Sequence, residues 1–317
     1  MPDTMTSPKR GTAHEAKAEL LFFHAQTSLH PGSGTTLGVV DLPIQRERHT
    51  QWPTIPGSGI KGVLREACRR RLNAGRPHEA DADPELTAAF GPPTAEADKH
   101  AGALTITDAR ILAFPVRSLR GVFAWVTCAP ALERLNRDLS LVNRDSLQKI
   151  PTPDKEKAAC MAESPLLVEG DRLLLEEFEF TRSADADAVA QWIADNAIAD
   201  EATRTRLRKH LVVLHEDDFT YFVRHATEVV ARIGLDYERK TVRSGALFYQ
   251  EFLPAETLLY ALVLASPSRR ENDAKDAAAI LSYLRDNLPP VLQIGGDETI
   301  GKGLCTVRLT EGKGVST

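Results

Sequence analysis

Asp41 is a lone carboxylate among apolar neighbours, in Gly38-Val39-Val40-Asp41-Leu42-Pro43. Such a group can hold a divalent cation or orient an attacking hydroxyl at a phosphodiester. On spacing alone it can equally cap a turn or pair with Arg46 or Arg48. Upstream is His30-Pro31-Gly32-Ser33-Gly34, where missing side chains let a polyanion backbone approach closely. His30 can assist proton transfer, contact phosphate or pack against the loop. Downstream, Gly57-Ser58-Gly59 leads into Lys61, Arg65 and Arg69 at i, i+4 and i+8. On a helix that spacing puts three cations on one face. Ser58 as N-cap would leave free N–H groups at the helix entry for a phosphate. A solvated charged face is the alternative; glycine entry and positive stripe together favour the anion site.

Other segments carry partial signals. Gly296-Asp297-Glu298-Thr299-Ile300-Gly301-Lys302 has the spacing G-x-x-x-x-G-K. A P-loop needs Ser or Thr next, then a helix. Gly303 and a strand-like run follow, so the segment is a tight turn or a backbone-amide cradle for phosphate. Gly32-Ser33-Gly34 does not open a helix either, which argues against a dinucleotide loop. His215-Glu216-Asp217-Asp218 reads as the acidic first turn of a helix rather than a metal site. Residues 235–252 mix Arg239, Lys240 and Arg243 with Tyr237, Phe248 and Tyr249, as a protruding hairpin or loop would.

These residues need a frame. Residues 19–28 read as a central strand, and 60–72 as a helix with Ile60, Leu64, Cys68 and Leu72 on its apolar stripe. Asn73-Ala74-Gly75 closes that helix. Residues 77–102 are acidic and Pro-rich, a loop by composition. Residues 103–114 and 120–128 read as strands, 130–140 as a short helix, and 143–161 as irregular. Residues 166–181 suggest a hairpin turning at Glu169-Gly170-Asp171, and 187–233 two or three helices. A strand at 257–265, a helix at 274–288 and strands at 291–294 and 303–309 close the chain. The outer parts fit a β-α-β-β-α-β unit, ferredoxin-like and of the kind RNA-recognition modules use. The predicted class is α+β, with large insertions.

Composition fits a soluble globular chain of 317 residues, 42% hydrophobic and 26% charged. No apolar run approaches the roughly 20 residues that span a bilayer. The polar start, 1–17, reads as a disordered tail. Four cysteines without a C-x-x-C pair fit a reducing cytoplasm. The net charge of −5 argues against a polyanion partner, yet between Asp41 and Arg76 eight Lys and Arg face three acids. A local basic patch on an acidic body suits binding on one face only.

The blocks H-P-G-S-G-T-T-L-G-V-V-D-L-P-I-Q-R-E-R-H-T (30–50) and I-P-G-S-G-I-K-G-V-L-R (55–65) resemble the RAMP proteins of CRISPR systems. More narrowly, they are similar to the backbone RAMP subunit of type III-B (Cmr-module) effector complexes. K-T-V-R-S-G-A-L-F-Y-Q-E-F-L-P (240–254) and G-G-D-E-T-I-G-K-G (295–303) agree with it. Gly59 stands where that family usually has Ser. The resemblance implies a ferredoxin-like RAMP palm at 18–129 plus 255–312. It implies an insertion at 130–254 carrying a β-hairpin thumb at about 235–252, and a tail at 313–317. It implies copies polymerising head-to-tail along a CRISPR RNA, beside other type III-B subunits and with no membrane partner. Target RNA would be cleaved with Mg²⁺ or another divalent cation by attack of its own 2′-OH, leaving a cyclic phosphate and a 5′-OH. Asp41 matches the family's catalytic acid and would bind the metal; His30 and Glu251 are further catalytic candidates. RNA contacts would come from His30, Gly32, Ser33, Gly34, Arg46, Arg48, Ser58, Lys61, Arg65, Arg69, Arg239, Lys240, Arg243, Gly296 and Lys302. The competing expectation is an RNA-binding filament scaffold without cleavage, in which Asp41 is only a turn residue.

Overall fold

The structure, a computed structural model, describes residues 16–72 and 80–310. The predicted tail up to residue 15, the helix stop Asn73-Ala74-Gly75, Arg76 and the tail at 313–317 lie outside the described residues.

In chain order the elements are β1 (Lys17–Ala25), β2 (Thr54–Ile55), α1 (Gly57–Leu72), α2 (Pro84–Phe90), β3 (Leu104–Ile106), β4 (Ala109–Arg117) and β5 (Phe123–Cys128). Then come α3 (Ala129–Leu141), β6 (Lys157–Ala159), β7 (Arg172–Leu175), β8 (Phe178–Ala184), α4 (Asp187–Ala197), α5 (Glu201–His210), β9 (Leu211–Leu214) and α6 (Glu216–His225). The chain closes with β10 (Glu228–Leu235), β11 (Val242–Phe252), β12 (Leu258–Ala265), α7 (Ala277–Asn287), β13 (Val291–Gln293) and β14 (Leu304–Thr310).

Residues 20–23 of β1, Leu-Leu-Phe-Phe, are all fully buried. Because side chains alternate along a strand, Leu20 and Phe22 pack to one side and Leu21 and Phe23 to the other. A strand apolar on both faces needs helices on both. α1 and α7 supply Ile60, Leu64, Ile280 and Leu284 to one core. α3, α4 and α5 supply Leu132, Leu135, Ile193 and Leu207 to the other. Between them lies one mixed sheet in the order β13-β14-β1-β12-β4-β5-β9-β6-β8-β7, with β2 on β4 and β3 on β12. β1 pairs antiparallel with both β12 and β14. The sheet runs on into the segment predicted as an insertion, through the parallel pair β5–β9. Phe219 and Phe222 of α6 accordingly share a core with Leu21 and Ile60. β10 and β11 form a separate two-stranded antiparallel hairpin.

The structure departs from the sequence reading in places. The 77–102 segment contains α2. Asp83 caps it, accepting from the N–H groups of Glu85 and Leu86, and Pro84 sits in its first turn. The 166–181 hairpin turns at Glu176-Glu177, not at Gly170; Gly170 and Asp171, both at positive φ, make an earlier turn closed by Val168 and Arg172. β9 is four fully buried residues, Leu-Val-Val-Leu, inside a stretch read as helical. The long hairpin starts at Glu228 rather than 235. The four cysteines are free and buried. Burial pushes the thiols of Cys68, Cys128 and Cys305 up to about 12 and that of Cys160 up to about 11, so they are protonated and unreactive at neutral pH.

His210 closes α5 with its ring buried against Gly121, and Nδ1 donates to the Arg206 carbonyl at 2.9 Å. Burial lowers its pKa from 6.5. The unfolded chain therefore takes up this proton at a higher pH than the fold does. The stability contributed by the neutral ring is complete above pH 6.5 and declines as pH falls through that value. Melting temperatures measured between pH 7.5 and 5.5 should fall less steeply for His210→Gln than for the wild type.

Candidate functional site

The root of the β10–β11 hairpin gathers the chemistry. Two segments from the start of the chain add to the free edge of β11. Leu29 and Leu253 exchange backbone hydrogen bonds of 2.8 Å each. Leu42 donates to the Tyr249 carbonyl at 3.0 Å and accepts from the Glu251 N–H at 3.0 Å. This pairing brings Asp41 to Tyr249, whose N–H donates to Asp41 Oδ2 at 2.7 Å. Among the described residues, Oδ1 takes no hydrogen bond. Asp41 is half-buried, at the end of an exposed loop that includes Leu37 and Val39.

His30 meets β11 two residues further along, at Glu251. Its Nδ1 is 2.6 Å from the Glu251 carbonyl. A carbonyl only accepts, so Nδ1 carries the proton and Nε2 faces Gly32. The ring is 7% exposed and packs on Phe252 at 5.5 Å. A Cβ at Gly32 would stand 2.8 Å from Nε2, so glycine there makes room for the imidazole. Ser33 folds back onto the Pro43 carbonyl, and Gly34, at φ +93, is exposed.

The C-terminal glycine loop docks on the same root. Gly296 N–H donates to the His30 carbonyl at 3.0 Å and Gly303 N–H to the Ser28 carbonyl at 2.9 Å. Asp297, at positive φ, accepts from Gln250 at 2.6 Å and pairs with Arg232 at 3.5 Å. The Lys302 ammonium lies over the Phe252 ring at 4.8 Å. Gly296 and Lys302, far away in sequence, thereby join His30.

Glu251 and Arg46 are part of this root but face inward. Glu251 is 6% exposed. Its carboxylate accepts from Arg46 Nη2 at 2.6 Å, Thr227 Oγ1 at 2.9 Å and Ile44 N–H at 3.1 Å. Arg46 also donates to the carbonyls of Gln51 and Val223, so its guanidinium is committed to the fold. Arg48, by contrast, is exposed.

The α1 stripe is placed differently from the expectation. The helix begins at Gly57, so Ser58 is its exposed second residue rather than its cap. The Gly57 N–H donates to Asp108 Oδ1 at 2.7 Å, putting one of the protein's own carboxylates at the positive helix end. Gly57 also lies so close to β3 that a Cβ would meet the Ile106 carbonyl at 2.5 Å. Lys61 donates to the Leu104 carbonyl, Arg65 to the Gly91 carbonyl, and Arg69 pairs with Glu66. Burial, with Arg269 and Arg65 nearby, lowers the Lys61 pKa. The hairpin tip holds Arg239, Lys240 and Arg243, all exposed, with Lys240 over the Tyr237 ring at 6.0 Å. Sequence reasoning missed Gln250, Asp297 and Arg232 as the ties between hairpin and glycine loop, because no spacing connects residues so far apart.

Among the described residues no group of three or more His, Cys, Asp or Glu could hold a metal ion. Asp41 offers one carboxylate oxygen without a hydrogen bond. That fits Mg²⁺ only in the mode where one carboxylate and the substrate's phosphates share the ion.

Gly295, at φ +81, touches the site through its backbone: a Cβ would stand 2.3 Å from the His30 carbonyl oxygen. Gly301, at φ +77, has nothing within 4 Å. Gly301→Ala should cost about 1 to 2 kcal/mol of strain alone. Gly295→Ala should cost about 3 kcal/mol or more, because the Gly296–His30 pairing must also open. Thermal denaturation of the two variants checks the difference.

A family model described as the RAMP superfamily matches residues 22–306. The chain is 37% identical over 298 residues to the "CRISPR system Cmr endoribonuclease Cmr4" of Pyrococcus furiosus, covering 93% of this chain and 96% of that protein. It is 26% identical over 308 residues to the "CRISPR system CMR subunit Cmr4" of Saccharolobus solfataricus, covering 90% and 94%. Among solved structures, the crystal structure of oligomeric Cmr4 from Pyrococcus furiosus matches with a TM-score of 0.70 at 30% identity, covering 93% of this chain and 98% of that one. A chain of a type III-B Cmr-beta complex bound to cognate target RNA shares the fold, with a TM-score of 0.69 at 23% identity over 93% of this chain and 98% of that one. The chain therefore belongs to the RAMP superfamily and, within it, to the Cmr4 family.

Proposed function

We propose that this chain is the RNA-binding backbone subunit of a type III-B CRISPR effector complex and cleaves the target RNA paired to its guide. The observation that carries the reading is the Asp41 carboxylate, held by the Tyr249 N–H at the root of a projecting hairpin. The strand order β14-β1-β12-β4, with α1 after β1 and α7 after β12, supports reading that half of the sheet as a ferredoxin-like palm. The β10–β11 hairpin is then the thumb. It carries exposed Val229, Ile233, Leu247 and Tyr249, apolar surface suited to wedging a base out of a duplex.

Cleavage at a splayed nucleotide asks mainly for geometry. With one target base pushed aside, the 2′-oxygen lines up with the neighbouring phosphorus and the leaving 5′-oxygen. The 2′-oxygen bonds to phosphorus while its proton passes to the Asp41 carboxylate or to water. The bond from phosphorus to the 5′-oxygen breaks, and that oxygen takes a proton from water. The products are a cyclic phosphate and a 5′-OH. A divalent ion, if held by Asp41, would supply positive charge against the charge that develops at the phosphate. Guide pairing chooses the sequence, so the protein needs only backbone contacts. Exposed Arg48, Arg239, Lys240 and Arg243, the edge of the glycine loop with Gly296 and Lys302, and the Gly32-Ser33-Gly34 turn are suited to supply them. Arg46, Lys61, Arg65 and His30 serve that surface from within the fold. Further copies of this chain and other subunits are the partners along the guide. The free, buried cysteines suit a reducing cytoplasm, and among the described residues no helix is long and apolar enough to cross a membrane.

One observation favours a second reading, a scaffold without cleavage: Asp41 already has a structural partner in the Tyr249 N–H. Asp41→Asn in the assembled complex separates the two. Under the first reading, target cleavage with Mg²⁺ falls roughly 100-fold or more, EDTA abolishes the wild-type rate, and guide binding is unchanged. Undiminished cutting by the variant would place the chemistry elsewhere and leave the scaffold.

A further inference from the structure

Glu251 makes five hydrogen bonds to five different residues. Its carboxylate takes Arg46, Thr227 and the Ile44 N–H. Its own N–H donates to the Leu42 carbonyl, and its carbonyl accepts from His30. Leu42, Ile44 and Arg46 belong to the arm that begins at Asp41. Thr227 directly precedes β10, and Glu251 lies in β11, so both strands of the hairpin are held at their root. Through Arg46 the network reaches the Val223 carbonyl in the last turn of α6. A carboxylate has about four acceptor sites, and three are filled by protein donors. At 6% exposure it offers no route to an RNA hydroxyl, which a general acid or base must touch.

We infer that Glu251 is a positioning residue: its buried carboxylate locks the Asp41 arm to both strands of the hairpin, fixing Asp41 relative to the base that the hairpin displaces. This rests on the reading of Asp41 as the cleavage residue. The negative charge matters because Arg46 is its nearest donor and is itself enclosed, with 15% of its side chain exposed. Glutamine keeps the shape but loses the charge and turns one oxygen into a donor, facing groups that also donate. The arm then loosens around Asp41, while the hairpin tip and the glycine loop, which carry most of the proposed backbone contacts, stay in place.

The test is single-turnover cleavage of target RNA by the assembled complex carrying wild type, Glu251→Gln, Thr227→Val or Asp41→Asn, with target affinity measured alongside. Glu251→Gln should slow cleavage roughly tenfold, the scale of a sub-ångström misplacement, with target affinity unchanged. Its pH–rate profile should keep the wild-type shape at lower height. Thr227→Val removes one donor without changing shape and should slow cleavage roughly two- to threefold in the same manner; it decides the matter if Glu251→Gln fails to assemble. Wild-type rates in both variants would overturn the inference. Loss of one limb of the pH profile in Glu251→Gln would make Glu251 a catalytic group instead. Equal loss of affinity and rate would reduce it to a fold residue. If Asp41→Asn cleaves normally, the reading of Asp41 falls first; if it is inactive and both other variants are normal, only the inference about Glu251 falls.

Discussion

A carboxylate removed from water costs several kcal/mol unless it is paired and its lone pairs are filled. Glu251 meets that condition through Arg46, Thr227 and the Ile44 N–H. The donors come from the arm after Asp41, where Ile44 also packs into the core, and from the residue that precedes β10. The arm at 41–46 makes one isolated bridge with β11, Leu42 to Gln250, and the hairpin forms a sheet separate from the main one. The buried charge ties the arm to both strands of the hairpin at their root. Arg46, with its guanidinium bonded to Glu251 and to the carbonyls of Gln51 and Val223, is a brace of the fold, a role its position in a basic arm does not announce.

The same distinction applies to α1. Lys61 and Arg65 lie on the face that their spacing dictates, and both spend a donor on a backbone carbonyl, of Leu104 and Gly91. Both bonds are part-buried, so each cation gives the fold a hydrogen bond shielded from water. Long cationic side chains often do this, with the stem buried and the head near solvent. A positive stripe can thus brace the sheet and the loops beside it and still lend its field to a polyanion. Among the described residues, Arg48 in the arm and Arg239 and Arg243 at the hairpin tip are exposed cations without such a bond.

The glycine loop at 294–303 shows why its resemblance to a phosphate cradle is incomplete. Two of its amides, those of Gly296 and Gly303, are used to close the loop against Ser28 and His30. Positive φ at Gly295, Asp297, Gly301 and Gly303 bends the chain enough to reach them. The result is a rigid floor behind His30 rather than an open nest of donors. Rigidity there suits a site whose contribution to chemistry would be geometric.

Much was legible from residue order alone. The apolar runs of β1, α1, β12 and α7 announced themselves by period and length, because core burial imposes both. The blocks around Asp41 and Gly57 carried the family resemblance, since close backbone approach restricts which residues can stand there. α2 was hidden by an acidic, Pro-rich composition, although Asp83-Pro84 is a cap signal. β9 was hidden because four apolar residues fit a buried strand or a helix equally well. Only the tertiary structure joined Asp41 to Tyr249, His30 to Gly296, and Glu251 to Arg46 and Thr227. These pairs are separated by about twenty to more than two hundred and fifty residues, so no local pattern encodes them. Sequence determined which groups could do chemistry; the pairing of strand edges and the need to satisfy buried donors and acceptors decided which of them meet, and which are consumed in holding the others.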